Sequence, residues 1–457
     1  MRSSSAISKS FPQRQSHHPN PLRFELVEVE IGESISNNDG QNGHREYREP
    51  SWVFVSASIT RVLQFYLTTS QLSFRFTRIP DRLAPHGRIL MSRSLTKLVP
   101  EQMRPDLTPP LFTPELPGVG GKIKSQLDDF EVEELPSYEP CGTGDHLYLW
   151  IEKKGVGSEH FTQFIARKVG VPVGSVGTAG LKDRQAVSRQ WVSVPKEAEP
   201  NLAKLEGDGI SVLKVSRHGN KLKPGHLRGN RFRILIRDAD RNHASSADQV
   251  IAKIRAEGMP NYYGPQRFGR GGETAELGFK VLNGQQRQRL RPFLFKFALS
   301  AAQSVLFNRV LANRQRDDLL RTVLDGDVMM KLPFGGIFVV DDVPTEQARF
   351  DARETVHAGP MFGSRTFPTQ GVAAEREAKV MNDSGMTPKV FGHFGKLASG
   401  TRRHNLVYLD DLTSDWEPEG LRLTFSLPAG SYATVLLREV MKVDLSEPGD
   451  EPVVEEE

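Results

Sequence analysis

Apolar and polar positions alternate along much of the chain at spacings that predict both strands and helices. Residues 130–134 and 146–153 show the period-two pattern of strands. From Ser158, apolar side chains recur at helical spacing until Gly170, a residue type that often follows a helix end. Residues 230–238 alternate apolar and basic side chains, which predicts a strand with one apolar and one mostly basic face.

The second half of the chain has the same mixed character. Helices are predicted over 247–257 and over 293–314, and the latter precedes a stretch rich in Gly and Pro turns. Near the end, "RLTFSLPAG" predicts a strand and "YATVLLREVMK" a helix after a Pro-Ala-Gly turn. The simplest division is a mixed α/β core interrupted by an inserted subdomain.

The two ends of the chain differ from this pattern. Residues 1–90 are rich in Ser, Arg, Asn and His with little sustained period, so we expect them to be poorly ordered. A patterned sequence begins soon after Met91, which leaves open both an internal start near Met91 and a genuine flexible extension. Residues 447–457 are acidic and contain two prolines, as is typical of a solvated tail.

Composition indicates a globular protein and excludes a disulfide-stabilised one. The 457 residues are 37% hydrophobic and 25% charged, as in globular proteins, and a net charge of +4 means that a polyanion must be bound by local cationic clusters. The single cysteine, Cys141, excludes an intramolecular disulfide and a zinc site built on paired cysteines. We expect a cytoplasmic protein with no metal, no cofactor and no membrane span. A secretory signal is not predicted, and a transit peptide stays open.

The segment "GLKDRQAVSRQW" places the Asp183 carboxylate between Lys182 and Arg184. Opposite charges favour the ionised form of an acid, which suits a nucleophile. An Asp in a glycine-rich turn more often caps a helix or closes an Asx turn, and composition alone favours that structural role. A triphosphate-binding loop is disfavoured, because Leu181 and Asp183 occupy the positions that would need Gly and Ser or Thr.

Two further segments combine residue types that bind RNA. "NYYGPQRFGRGG" (residues 261–272) sets aromatic rings beside arginines, as stacking on unpaired bases requires, although the rings could equally fill the edge of a core. "SRHGNKLKPGHLRGNRF" (residues 216–232) is dense in cations and leads into the basic strand face. Such a segment is usually a solvated surface, and it can also follow a phosphate backbone. Its histidines form no metal-binding pattern.

Four stretches together resemble, in order, motifs of the TruD family of RNA pseudouridine synthases: "GLKDRQAVSRQW", "KLKPGHLRGNRF", "NYYGPQRFG" and "LPAGSYATVLLRE". The resemblance covers roughly residues 117–442. It implies an α+β fold in which a mixed, largely antiparallel sheet flanked by helices is interrupted by an α/β subdomain particular to the family. The implied division is an extension (1–90), a catalytic core (91–284), an inserted domain (285–401), a return to the core (402–443) and an acidic tail (444–457).

The resemblance also implies roles for individual residues. Asp183 falls on the catalytic aspartate, and Lys124 on the basic residue that pairs with it. Residues near the pocket are implied at Phe130, Asn261, Tyr432 and Tyr263, the last standing where the family often has Phe. RNA contacts are expected at Lys182, Arg184, Lys221, Lys223, His226, Arg231, Gln266, Arg267 and Arg270.

The implied function is isomerisation of one uridine of tRNA, in the D arm at position thirteen, by a monomeric enzyme that extrudes the base. Asp183 would either attack the ribose C1′ or remove the C2′ proton. Two other classes stay open. One is an RNA-binding protein that keeps the groove without the catalysis, and the other is a metal-dependent phosphodiesterase using Asp128, Asp129 and Asp183.

Overall fold

A computed structural model of the chain describes residues 52–54, 61–68, 71–78, 108–333 and 335–445, and the chain divides into two compact units, 1–98 and 99–457. In the first unit, strands β1 (Trp52–Phe54), β2 (Arg61–Thr68) and β3 (Gln71–Arg78) form an antiparallel sheet in chain order. The sequence pattern did not indicate these strands. The remainder of residues 1–90 and of the acidic tail lies outside the described residues.

The second unit contains both strands and helices. Its strands are β4 (Phe130–Pro136), β5 (His146–Lys154), β6 (Gly177–Thr178), β7 (Val187–Pro195), β8 (Ile210–His218), β9 (Leu227–Arg237), β10 (Met259–Pro260), β11 (Val328–Lys331), β12 (Ile337–Val339), β13 (Thr355–Met361), β14 (Thr401–His404), β15 (Leu406–Val407), β16 (Thr413–Glu417) and β17 (Gly420–Pro428). Its α-helices are α1 (Ser158–Val169), α2 (Ala244–Glu257), α3 (Glu273–Leu282), α4 (Pro292–Arg316), α5 (Val343–Asp351), α6 (Gly371–Asp383) and α7 (Ala433–Met441).

An eight-stranded sheet forms the centre of this unit. Its order is β16-β17-β9-β4-β7-β5-β8, with the short β6 also paired to β7. The β4–β7 pair is parallel, and the other neighbours are antiparallel. Together with the helices packed on it, this sheet confirms the predicted α+β fold.

The predicted alternation sets which face of the sheet is covered. On β9, Phe232 and Ile234 are buried while Arg231 and Arg233 are exposed, as the sequence pattern indicated. A core cluster that also takes in residues of β4 and β17 covers this face with α2 and α7. On the neighbouring part of the sheet, α1 covers β5 and β7, and Gly170 ends α1 in the left-handed conformation that its position favours.

A four-stranded sheet of order β12-β11-β13-β14 and the 25-residue helix α4 occupy the later part of the chain. The prediction of a helix over 293–314 is confirmed, with α4 slightly longer at both ends. Across the described ranges, no helix is long and apolar enough to cross a membrane. The domain boundaries at 285 and 401 stay a prediction.

Candidate active site

Lys124 and Asp183 form a close ion pair at the candidate site. The Lys124 Nζ donates to the Asp183 Oδ2 at 3.0 Å, and the Asp183 side chain is about half exposed. Lys124 lies just before β4 with a positive φ of 58°, and its ammonium is 4.7 Å from the centre of the Phe130 ring. The pairing expected from sequence is therefore present, and it leaves the carboxylate accessible to a substrate.

Two side chains fix the backbone on which Asp183 stands. Lys153 is fully buried on β5, and its ammonium donates to the carbonyl oxygens of Val156, Lys182 (3.3 Å) and Asp183 (3.0 Å). The Ser158 hydroxyl accepts from the Lys182 N–H at 2.9 Å and donates to the Lys182 carbonyl at 2.8 Å. These bonds position the main chain while the Asp183 carboxylate remains free of them.

Lys182 points away from its neighbour Asp183. Its ammonium is buried and donates to the Glu134 Oε2 at 3.1 Å, while the Trp191 N–H reaches the other oxygen of the same carboxylate. Burial raises the pKa of the Glu134 carboxyl, and the positive charge of Lys182 opposes that shift. The structure thus places the Lys182 ammonium in a buried ion pair, and the expected contact of Lys182 with RNA stays a prediction.

A second group of residues is built around Asn261. The Asn261 side chain is buried, donates to the His404 carbonyl at 3.0 Å, and accepts from Arg403 at 2.7 Å and from the Ser431 hydroxyl at 2.9 Å. Arg403 also donates to the Asn261 carbonyl. Asn261 thus joins three separate segments of the chain, one of them the turn that leads to Tyr432.

Aromatic rings surround the same guanidinium. The Arg403 Cζ is 4.2 Å from the centre of the Tyr263 ring, which contacts Tyr432 edge-on at 5.6 Å and Phe307 at 5.7 Å. Burial lowers the pKa of Arg403 and raises the pKa of the Tyr432 hydroxyl. The Tyr263 hydroxyl donates to the Met361 Sδ at 3.4 Å, and a thioether sulfur is a weak acceptor.

The start of β9 lies between the two groups. Glu134 of β4 is opposite Asn230 of β9, and the preceding residue, Gly229, is opposite Pro428 of β17. The turn after Pro428 carries Ser431, whose hydroxyl bonds to the Asn261 cluster. Lys182, next to Asp183, bonds to Glu134 of β4 on one side of β9, and Asn261 bonds to Ser431 after β17 on the other side. The Asp183 segment and the residues around Asn261 are therefore linked to the two strands that flank the start of β9.

The other residues predicted to contact RNA differ in exposure and in internal bonding. Arg184, Lys223, Arg231, Gln266 and Arg270 are exposed. Internal contacts join Lys221 to the Gly174 carbonyl, His226 to the Tyr138 hydroxyl, Gln266 to Thr434, and Arg267 to Ser304. The RNA contacts stay predictions for all eight.

The carboxylates of the metal hypothesis each have a separate cationic partner. Asp129 is bonded to Arg237, Asp128 lies 3.6 Å from Lys154, and Asp183 is paired with Lys124. Over the described part of the chain, no group of three His, Cys, Asp or Glu side chains is arranged to hold a metal ion. The geometry gives the phosphodiesterase hypothesis no ligand set.

Sequence reasoning missed three residues of this site. Glu134 and Lys153 follow the period-two pattern of β4 and β5, which puts each on the apolar face of its strand. A charged residue at such a position needs a buried partner, so the alternation itself was the available signal. Arg403 carried no comparable signal, because nothing in "TRRHNLVYL" distinguishes a buried arginine from an exposed one.

Comparison with known proteins places this geometry in context. The family model described as tRNA pseudouridine synthase D (TruD) matches residues 107–294 and 287–440. A tRNA pseudouridine synthase D of Anaeromyxobacter sp. (strain Fw109-5) is 42% identical over 338 residues, 73% of this chain and 96% of that protein. A tRNA pseudouridine synthase D of Thermus thermophilus is 43% identical over 336 residues, 73% of this chain and 92% of that protein.

The fold has a counterpart among solved structures. A crystal structure of a TruD protein from Methanosarcina mazei superposes with a TM-score of 0.63 at 22% identity, covering 75% of this chain and 97% of that chain. At this identity the likeness concerns the fold alone.

Proposed function

This chain belongs to the TruD family of tRNA pseudouridine synthases, and from that premise we propose that it isomerises one uridine in the D arm of tRNA, at position thirteen, with Asp183 as the catalytic residue. The reaction breaks the bond between N1 of the base and C1′ of the ribose, and it forms a new bond from C5 to C1′. The C5 proton is lost and N1 gains one, so the product is an isomer of the substrate.

Each residue of the candidate site has a part in this proposal. Asp183 either attacks C1′ or removes the C2′ proton, and Lys124 orients the carboxylate through the hydrogen bond that it donates. The Tyr263 and Tyr432 rings offer faces for the extruded base, which must be retained while it turns. Arg184, Lys223 and Arg231 are exposed cations suited to the RNA backbone.

One observation carries the proposal: the 3.0 Å contact between Lys124 and a half-exposed Asp183 whose main chain is anchored by buried groups. An RNA-binding surface alone needs exposed cations and rings, and it gains nothing from an accessible acid paired with a lysine. Anchoring the backbone while leaving the carboxylate accessible is what a preorganised reactive group requires.

The test is to incubate the purified chain with an unmodified tRNA transcript and to map pseudouridine by carbodiimide-blocked primer extension. We expect one new stop in the D arm with the wild-type chain, and at least about a thousand-fold slower formation with Asp183→Asn. Asp208→Asn, at an exposed acid elsewhere, is the matched control. An absent stop, or an undiminished one with Asp183→Asn, contradicts the proposal and favours a non-catalytic RNA-binding protein.

A further inference from the structure

A cavity of about 390 Å³ lies where the connection between α3 and α4 meets the segment 388–398. Its apolar lining includes Leu290, Phe295 and Phe394, and its polar lining includes Gln286, Gln288 and Arg289. The volume is in the range of sites that hold small organic groups. None of the residues proposed for catalysis lines this cavity, which we call the α3–α4 pocket.

The two segments that border the pocket are strongly basic. Residues 285–297 and 388–398 contain no Asp or Glu, whereas the chain as a whole has nearly as many acids as Lys and Arg. The segments meet where the Phe295 and Phe394 rings lie 6.0 Å apart. Their exposed cations are Arg287, Arg289, Arg291, Lys296, Lys389 and Lys396.

Two of these cations, Arg287 and Arg289, lack an acidic partner among the described residues. Within residues 108–333 and 335–445, no ion pair involves either of them. The first turn of α4 has no acidic residue, and Lys296 lies close to that end of the helix. The helix dipole makes this end of α4 positive, so the nearby cations are repelled by the helix end as well as by one another. A bound anion would reduce both repulsions.

An exposed ring extends the surface beyond the pocket. Phe293 is 67% exposed and stacks in parallel on Phe297 at 5.9 Å, while the Arg267 guanidinium lies 5.3 Å from the Phe297 ring. A large exposed aromatic beside cations is the arrangement that stacks an unpaired base and holds its phosphate. The surface thus continues from the pocket to Arg267 of the "NYYGPQRFG" motif.

We propose that the α3–α4 pocket and Phe293 bind an unpaired nucleotide of the tRNA other than the reacting uridine. The base occupies the pocket or stacks on Phe293, and its flanking phosphates contact Arg287 and Arg289. The Gln286 amide donates to the Gln288 carbonyl at 3.0 Å, and the amide oxygens and the remaining N–H groups of Gln286 and Gln288 can accept from and donate to the edge of a base. This inference rests on the proposed tRNA substrate and adds a second contact point to it.

The test measures tRNA binding by fluorescence anisotropy across a series of salt concentrations, with every variant made in an Asp183→Asn background so that turnover does not interfere. We expect Arg287→Gln/Arg289→Gln to weaken binding about ten-fold and to lower the slope of log affinity against log salt by about one to two. Phe293→Ala should weaken binding about five-fold or more with an unchanged slope, because stacking involves no counterion release. Lys204→Gln/Arg255→Gln removes the same charge elsewhere and serves as the matched control.

The outcomes separate this inference from the proposed function. If the Arg287/Arg289 variant binds tRNA with the affinity and salt slope of the control, the inference is overturned, whatever the enzyme does to uridine. If that variant binds tRNA normally but loses a fluorescent polyglutamate peptide, the pocket holds an acidic polypeptide instead. If the chain with Asp183 intact forms no pseudouridine, the proposed function fails while the binding result still stands. Thermal melting of each variant checks that the fold is retained.

Discussion

The Lys124–Asp183 pair differs from the Asn261 cluster, which comprises Asn261, Arg403, Ser431, Tyr263 and Tyr432, in whether its charged group is exposed or buried. Asp183 is about half exposed, and the bonds that fix it are made to its main chain. Arg403 of the cluster is largely buried, and its partners are the oxygens of Asn261 and the faces of two rings. The first arrangement keeps a charge available to react, and the second uses a charge to hold segments together. The two groups therefore differ in what their internal hydrogen bonds hold: the backbone around Asp183 in the first, and the charged side chain of Arg403 in the second.

Removing the Lys124 ammonium should have the largest effect, because it takes away the partner of the exposed carboxylate. Because Lys124 donates to Asp183 at 3.0 Å, Lys124→Met should lower kcat about ten- to a hundred-fold, the equivalent of one charge-assisted hydrogen bond. Stability should change by less than about 1 kcal/mol, since the pair is partly exposed. Single-turnover kinetics and urea unfolding measure the two effects.

Lys124→Arg is the matched variant, because it keeps the charge at the same strained backbone position, with φ at 58°. It should recover part of the lost kcat. A Lys124→Met chain with the wild-type kcat would show that the pair does not contribute to catalysis, and the contrast between the two groups would have to be abandoned.

Lys153 tests whether anchoring the main chain matters to the reaction. Lys153→Met removes the ammonium donor of the Asp183 carbonyl and one of two donors to the Lys182 carbonyl, the other being the Ser158 hydroxyl, at about 1–3 kcal/mol of stability. We expect kcat to fall about ten-fold while the Kd for tRNA stays within about two-fold, since Lys153 is fully buried and offers RNA no contact surface. The neighbouring Lys154→Met is the control, because Lys154 is about half exposed and pairs with Asp128.

An equal loss of kcat in the Lys153→Met and Lys154→Met chains would contradict this anchoring role. A loss confined to tRNA affinity would point to a role in binding instead. Unfolding midpoints in urea distinguish either outcome from a general loss of the folded state.

These buried lysines also explain how much could be read from the sequence. The mixture of strands and helices, the long helix α4 and the strand β9 followed from local period, because each depends on which face its own side chains bury. The α+β class and the pairing of Asp183 with Lys124, 59 residues distant, followed from the family resemblance. The Glu134 partner of Lys182 lies 48 residues away, and two of the carbonyls that Lys153 bonds lie 29 and 30 residues away, so only the folded sheet brings these groups together.

Acid should destabilise the fold through two buried histidines, His404 and His357. Burial lowers the pKa of His404 to about 4 and that of His357 to about 3, from an ordinary value of 6.5. The unfolded chain therefore binds these protons first, so stability is complete above about pH 6.5 and falls as the pH drops towards the folded-state values. Between pH 7 and pH 5, each histidine should cost about 2 kcal/mol of unfolding free energy.

Urea unfolding at the two pH values measures this loss. His404→Gln should show a smaller pH dependence than the wild-type chain. An identical pH dependence in His404→Gln and the wild-type chain would mean that His404 is not held neutral by burial.

Tyr263→Phe should have the smallest effect, and it tests whether the Asn261 cluster needs the Tyr263 hydroxyl or only its ring. It removes a hydroxyl that donates to the Met361 sulfur and also interacts with the Arg403 guanidinium, while the ring keeps its place between Arg403, Tyr432 and Phe307. Because a thioether is a weak acceptor, we expect kcat/KM to change by less than about two-fold. Tyr263→Leu should reduce it by more, since it removes the ring face over which the Arg403 guanidinium lies. If Tyr263→Phe were as damaging as Tyr263→Leu, the hydroxyl would act on the substrate, and the cluster would belong to the chemistry as well as to the framework.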